Sequence, residues 1–305
     1  MNQSRPEELE RVPCPRCGGQ TFHTVTSTAP NEAAVGNSRF SVVSCDGCRL
    51  TYANPRLSAA ALSAAYASIE VPLDAQGGQT EAPPASGPRG IWRHLTQRQV
   101  VGDWVEQGPV LDVGCNVGDL LVALRARGFA VAGIESSPSA VARCRARGLE
   151  TTQGTVEDVT LAEASYGTIT MSHVLEHVAD PVSVLRKLKR ALVPGGRIVV
   201  AVPNRAGLVA RLFGPHWHGW DPPFHLVHFD ASSLRGVLEA AGFQVDRVLT
   251  RGNPDDVTRS LRKMLGRRVD AFWLRAALLP ATLALGPLEQ GGELCAVAHR
   301  PPREN

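Results

Sequence analysis

The stretch PVLDVGCNVGDLLVALRARGFAVAGIE, residues 109–135, decides the fold. Val110, Leu111 and Val113 form an apolar run that breaks at a Gly-bearing turn. Leu120, Leu121 and Leu124 then recur at helical spacing, and a second apolar run from Phe129 to Ile134 closes on Glu135. The order is strand, turn, helix, strand, with an acid at the end of each strand. Open α/β sheets receive nucleoside-bearing ligands at such strand ends. The turn reads Asp112-Val-Gly114-Cys-Asn116-Val-Gly118. A pyrophosphate fingerprint asks for G-x-G-x-x-G, and here Asn116 and Asp119 stand where the second and third glycines belong. A carboxylate at a helix N-terminus also repels phosphate. The turn therefore disfavours nicotinamide cofactors and suits a cationic ligand without phosphates.

Outward from this unit the pattern repeats. Helices are expected over 91–107, 118–127, 138–147, 180–192 and 231–241. Strands are expected over 109–113, 130–134, 149–153, 166–171, 197–202, 243–249 and 293–299. Such alternation implies an α/β fold, a parallel sheet with helices on both faces. A loop-rich insertion covers 203–229, and a basic and apolar helical region covers 256–288. Residues 69–90, rich in Pro, Gly, Ala and Ser, read as a flexible linker. They separate a module at 1–68 from a main domain at 91–305.

The first module carries Cys14-Pro-Arg-Cys17 and Cys45-Asp-Gly-Cys48, two C-x2-C pairs across a 27-residue spacer that a hairpin from Phe22 to Val43 would fill. Each pair can present two thiolates to one tetrahedral ion, so a structural Zn²⁺ held by Cys14, Cys17, Cys45 and Cys48 is expected. Gly18, Gly19 and Gly47 let the backbone tighten around it. A redox dithiol is the competing reading. The chain has seven cysteines, an odd number, and MNQSRPEELERVP contains no apolar export segment, so disulfides are not expected and the cytoplasm is. Cys115, Cys144 and Cys295 read as small core residues. A net charge of +3 is too slight to imply a nucleic-acid partner.

The run LDVGCNVGDLLVAL, with VAGIESS, GTVEDV, MSHVLEHVADPVSVLRKLKRALVPGGRIVVAVPN and FHLVHFDASSLRGVLEAAGF, resembles the class I S-adenosylmethionine-dependent methyltransferases over residues 95–250. The resemblance implies a Rossmann-like seven-stranded sheet, completed by the 293–299 strand. It puts the methionine end of the cofactor against Asp112, Gly114 and Gly118, with Cys115 and Asn116 in the same turn. Glu135, followed by Ser136, would take both ribose hydroxyls, Asp158 the adenine amino group, and His173 would lie at the same edge. The chain departs from the commonest pattern at Asn116, where glycine is usual; Asn tolerates a left-handed backbone best among other residues.

Methyl transfer from a sulfonium is an in-line displacement, and a hydroxyl acceptor also needs a base, for which histidine is suited near pH 7. Six histidines fall in two segments, His173 and His177 after the fourth strand and His216, His218, His225 and His228 in GPHWHGWDPPFHLVHF. The second segment combines Trp217, Trp220, Phe224 and Phe229 with polar groups, as a substrate lid would. It is similar to the segment of zinc-ribbon methyltransferases encoded with sugar and surface-polysaccharide genes. By that resemblance His225 is the first candidate base and His177 the second; a divalent ion on His173, His225 and His228 is a lesser reading. Arg259, Arg262, Lys263, Arg267 and Arg268, followed by Phe272-Trp273-Leu274, allow peripheral contact with an anionic membrane or a lipid-linked acceptor. The expected activity is methylation of a hydroxyl on a sugar-containing or lipid-linked small molecule. The alternatives are an RNA base methyltransferase using the zinc module, and an inactive cofactor-binding adaptor.

Overall fold

The computed structural model describes residues 9–30, 39–69, 101–266 and 271–302. Residues 70–90 of the expected linker and 91–100 of the expected helix lie outside the described residues. The remainder of that helix is a single 3-10 turn, Gly102–Trp104, with extended backbone after it at Val105.

The N-terminal part contains β1 (Leu9–Glu10), β2 (Phe22–Thr28), β3 (Phe40–Cys45), β4 (Thr51–Ala53), β5 (Arg56–Leu57) and helix α1 (Ala59–Ile69). Next come β6 (Val110–Val113), α2 (Asp119–Ala126), β7 (Val131–Glu135), α3 (Pro138–Ala146), β8 (Glu150–Gln153) and β9 (Tyr166–Ser172). Helix α4 (Pro181–Ala191) leads into the long strand β10 (Leu192–Pro203). After it follow α5 (Leu208–Phe213), β11 (Val227–His228), α6 (Ala231–Ala240), β12 (Gln244–Arg251), α7 (Pro254–Leu265), α8 (Ala271–Ala284) and β13 (Glu293–His299). No described helix is long and apolar enough to cross a membrane.

Seven strands form the main sheet in the order β12-β13-β10-β9-β6-β7-β8. The pairings from β10 to β8 are parallel, and β13 inserts antiparallel between β10 and β12. Alternation along the central strands shows why the sheet is buried on both faces. Ile198, Val200 and Val202 of β10 enter the cluster containing α4 and α6, as do Leu294, Ala296 and Ala298 of β13. Val199, Ala201, Cys295 and Val297 point the other way, toward Leu120 and Leu124 of α2. Side chains of successive strand residues face opposite sides, so both faces need apolar residues. Helix α4 is started by Pro181 and by Asp180, whose carboxylate accepts from the Ser183 amide at 3.0 Å.

A second sheet has the order β11-β4-β3-β2. The β2–β3 hairpin sets Phe22 opposite Cys45, which fills the spacer between the two cysteine pairs. Its fourth strand comes from far along the chain: Val227 pairs with Tyr52 and His228 with Thr51. The insertion expected to be loop-rich is thus organised by α5, two 3-10 turns and β11. The apolar core runs without a break from Cys14, Leu50 and Tyr52 through Leu226, Val227 and Phe229 to Leu234 of α6 and the sheet.

Phe229 is fully buried at this junction. Its replacement by alanine is expected to cost about 3–5 kcal/mol, read as a fall in the urea midpoint at unchanged slope.

Candidate active site

The carboxyl ends of β6, β7, β9 and β10 lie side by side, with Val113 in register with Ile134 and Met171, and Ser172 with Ala201. Asp112, Glu135 and His173 lie at or next to this edge. Gly114 has φ +73°, and a Cβ there would stand 2.4 Å from Val174 Cγ2, so only glycine fits where the turn after β6 passes the end of β9. Asn116 also takes a left-handed conformation, at φ +48°. That turns its amide toward Glu135, whose Oε2 accepts it at 2.8 Å while Oε1 accepts from the Ser137 amide at 2.8 Å. An ionised carboxylate has about four acceptor positions, so the two amides leave room for a ligand's hydroxyl. Ser136 Oγ adds a longer bond to the same carboxylate, 3.4 Å.

Asp112 is buried and accepts from Thr170 Oγ1 at 2.7 Å. Burial pushes its pKa up to about 7, against the pull of the Thr170 bond, and the Glu135 charge adds to the rise. Cys115 is buried with its sulfur 4.0 Å from that of Cys144, so only its backbone borders the turn. At Gly118 a Cβ would meet Leu149 Cδ1 at 2.3 Å; this glycine is required by packing as well as by φ +80°. Asp119 forms an ion pair with Arg147 at 2.8 Å. Its charge is therefore engaged on the flank of the turn, which the repulsion argument from sequence did not foresee. Asp158 is exposed and accepts from Thr155 Oγ1 at 2.7 Å.

Beyond β9 the chain makes a 3-10 turn at Leu175–His177. His173, at φ +55°, places Nδ1 3.2 Å from Glu176 Oε1 and Nε2 3.9 Å from Glu293 Oε2. Desolvation opposes charge on the buried Glu176 and, at the half-exposed rim, on His173, and their mutual attraction overrides it. His173 rises to about 9 and Glu176 falls to about 2. His177 goes the other way: burial, then the neighbouring His225, lower it to about 4. Burial also lowers His225, and lowers His228 further. Near neutrality His173 is thus the charged ring, and His177, His225 and His228 are neutral. The rings of His177 and His225 stand edge to face with centroids 4.7 Å apart. Leu226 joins the two segments, its amide donating to the Glu176 carbonyl at 2.8 Å and its carbonyl accepting from the Ala53 amide at 2.9 Å.

The four aromatics of the expected lid do not line an open pocket. Trp217, Trp220, Phe224 and Phe229 are all buried. Trp217 Nε1 donates to Asp256 Oδ1 of α7 at 3.0 Å, and Trp220 Nε1 to the Gly214 carbonyl at 2.9 Å. They anchor the segment and leave His225 and His228 near Glu176 and His177, while His218 pairs with Asp256 at 2.6 Å and His216 is exposed. Tyr66 of α1 reaches the same place, its hydroxyl 2.9 Å from His177 Nδ1 and its ring 4.7 Å from Phe224. Several buried polar atoms here lack a hydrogen-bond partner among the described residues: Thr51 Oγ1, Glu176 Oε2, Arg205 Nε, His228 Nε2 and Lys263 Nζ. Arg205, Glu176 and Lys263 all bear electrostatically on His228, and Thr51 is its partner across the strands. Unpaired buried polar groups are costly, so such a cluster calls for ordered water or a polar ligand. Sequence reasoning missed Thr51, Tyr66, Thr170, Arg205 and Glu293, which lie in unrelated elements and carry no shared spacing. A separate cavity of about 470 Å³, lined by Trp104, Glu106, Arg197 and Arg247 among others, lies at the amino end of the parallel strands. Its charges pair internally, Arg197 with Glu106 and His299 with Asp246.

In the N-terminal module the sulfurs of Cys14, Cys17, Cys45 and Cys48 lie within 4.8 Å of one another. The two knuckles are equivalent: the amides of Cys14 and Cys45 donate to the carbonyls of Gly19 and Leu50, at 2.8 and 2.9 Å. Left-handed residues occupy matching positions, Gly18 in one and Arg49 in the other.

A parallel α/β sheet with acids ending two adjacent strands, and a glycine-bearing turn between them, defines an enzyme class that binds a nucleoside-bearing cofactor at its carboxyl edge. Residues 89–248 match the family model described as "Methyltransferase domain", just over half of the chain, and the protein belongs to that family. Among relatives, it is 32% identical over 145 residues to a probable S-adenosylmethionine-dependent methyltransferase of Mycolicibacterium smegmatis, covering 46% of this chain and 53% of the relative. It is 30% identical over 187 residues to a ubiquinone biosynthesis O-methyltransferase of Marinobacter nauticus, covering 55% and 75%. The chain thus spans little more than half the length of the first of these. Among solved structures, a possible histamine N-methyltransferase from Thermotoga maritima shares the fold, with TM-score 0.51, 19% identity, and 69% and 90% of the two chains covered.

The His173–Glu176 pair contributes stability that is lost as pH falls from about 4.5 toward 2, where Glu176 protonates, and as it rises from 6.5 through about 9, where His173 discharges. Glu176→Gln removes the charge that lifts His173, and its pKa is expected to fall back toward 6.5, measured by NMR titration of the ring protons.

Proposed function

We propose that the protein methylates a hydroxyl of a small polyhydroxylated acceptor, sugar-containing or lipid-linked, held between the cofactor turn and the His177–His225 pair. The observation carrying this reading is the cluster of unpartnered buried groups beside neutral imidazoles. Arg205 Nε and Lys263 Nζ donate, Glu176 Oε2 accepts, and Thr51 Oγ1 can do either. Mixed donors and acceptors suit a polyol, whose hydroxyls also do both. The O-methyltransferase activity named for the Marinobacter relative supports a hydroxyl acceptor. Exposure of Trp273 on α8 and of Leu288 beyond it supports the lipid-linked form. Seven free cysteines support a cytoplasmic setting.

When bound, S-adenosylmethionine supplies a sulfonium methyl group open to in-line attack. Asp112, with Gly114 and Gly118 shaping the turn, would face its methionine end; Glu135, Ser136 and Asn116 its ribose, and Asp158 its adenine. His173, charged beside Glu176, closes the rim. His177 donates Nδ1–H to the Phe224 carbonyl at 3.0 Å, shared with the Tyr66 hydroxyl, and His225 donates Nδ1–H to that of Gly219 at 2.8 Å, which leaves each Nε2 lone pair to take the acceptor's proton when no cation holds it. The four cysteines fit one structural Zn²⁺: Cys14–Cys48 at 3.4 Å and Cys17–Cys45 at 3.6 Å approach the roughly 3.8 Å edge of a tetrahedron with Zn–S bonds of about 2.3 Å. Such an ion would stiffen the sheet that holds β11, and through it His225 and His228.

Two measurements test this reading. In calorimetry, S-adenosylmethionine affinity is expected to weaken about tenfold per pH unit below 7 as Asp112 protonates, to lose that slope in Asp112→Asn, and to drop in Glu135→Ala. With polyol, glycoside and RNA acceptors offered together, mass detection should find one added methylene on a hydroxyl-bearing small molecule and a large loss of rate in His225→Asn. Methyl transfer to RNA alone would overturn it.

A further inference from the structure

Apart from the four cysteines, one group of potential metal-ligating side chains converges among the described residues. Glu176, His177 and His225 each offer a ligand atom within 4.8 Å of the others. The hydrogen bonds identify the free atoms. A backbone carbonyl only accepts, so the bond from His225 to Gly219 puts that ring's proton on Nδ1 and its lone pair on Nε2; the bond from His177 to Phe224 does the same for His177, with the Tyr66 hydroxyl accepting from the same Nδ1–H. Backbone carbonyls orient metal-binding imidazoles in this way. Glu176 commits Oε1 to His173, while Oε2 is buried without a hydrogen-bond partner on a side chain that is 1% exposed. Asp221 Oδ2 lies 3.8 Å from His225 Nε2, close enough to accept from a water beside the site.

We propose that Glu176 Oε2, His177 Nε2 and His225 Nε2 bind one divalent first-row transition cation at the carboxyl edge of the sheet. Two imidazoles and a carboxylate form a donor set for such ions and leave coordination positions open, whereas the thiolate cluster selects softer ions. The open positions face the region of unpartnered groups, where hydroxyl oxygens of an acceptor can complete the coordination. That use rests on the proposed acceptor site. With the cation present, both Nε2 lone pairs are committed to it and the acceptor proton passes to water. The acceptor O–H bond breaks, an O–CH3 bond forms, and the S–CH3 bond breaks with its electron pair retained by sulfur in S-adenosylhomocysteine. Nothing is oxidised or reduced.

The test is titration of the full chain, its cysteine cluster left loaded, with Mn²⁺, following the free ion by electron paramagnetic resonance. One Mn²⁺ is expected to bind per chain, at least about tenfold more weakly in His177→Asn and in His225→Asn. The exposed His216, changed to alanine, is expected to leave binding unaltered. Should either variant misfold, spin-echo modulation from imidazole nitrogen on the wild-type Mn²⁺ signal gives the same answer. Mn²⁺ remaining free at millimolar concentration, unchanged affinity in both folded variants, or absence of the nitrogen signal would overturn the site. No acceptor is present in this titration, so its failure leaves the proposed function standing, and failure of the acceptor screen leaves the cation site standing.

Discussion

The pairing of β11 with β4 is the contact on which the site depends. Two residues, Val227 and His228, cross from the insertion after β10 to complete a sheet whose other three strands precede the methyltransferase core. Hydrogen bonds continue the connection on both sides, from Ala53 through Leu226 to Glu176, and from Phe229 to Arg205. A short strand contributes little by itself. Its stability comes from the apolar residues at its back, Val227, Phe229 and Leu226, which join the cores of the two parts. The histidines are held because the backbone between them is held.

The charge arrangement follows from that packing. Glu176 is buried because Leu175 and the following turn lie under the insertion, and a buried carboxylate must find compensation. It finds His173, which stays charged, while the deeper imidazoles are kept neutral by their own burial. One edge of the sheet therefore combines a fixed ion pair with uncharged nitrogen bases a few ångströms away. That separation of roles suits the edge to the proposed cationic cofactor and hydroxyl acceptor, with no net repulsion toward either.

How much of this was legible in the sequence depended on whether the information was local. The unit from Pro109 to Glu135 was readable because strand, turn and helix each leave a short-range pattern, and the left-handed Asn116 was anticipated from its side chain. The convergence of the cysteine pairs was readable because two C-x2-C turns of matched spacing can each aim both sulfurs at one point. The insertion was not. Its tryptophans look like pocket-lining residues in one dimension, and only tertiary structure shows Trp217 buried against α7 through Asp256. The position of β13, antiparallel between β10 and β12, likewise has no local signature. Tyr66 and Thr51 were invisible as site residues because their relevance arises from segments more than a hundred residues away.

The shared sheet also bears on how such a protein can be inherited. A recombination event that exchanged the first part of the gene for another would keep β6, β7 and their cofactor turn intact. It would, however, present β11 with a foreign β4, whose side chains and hydrogen-bonding edge had never been selected against Val227 and His228. The two distant segments that pair across the small sheet are thus bound to change together.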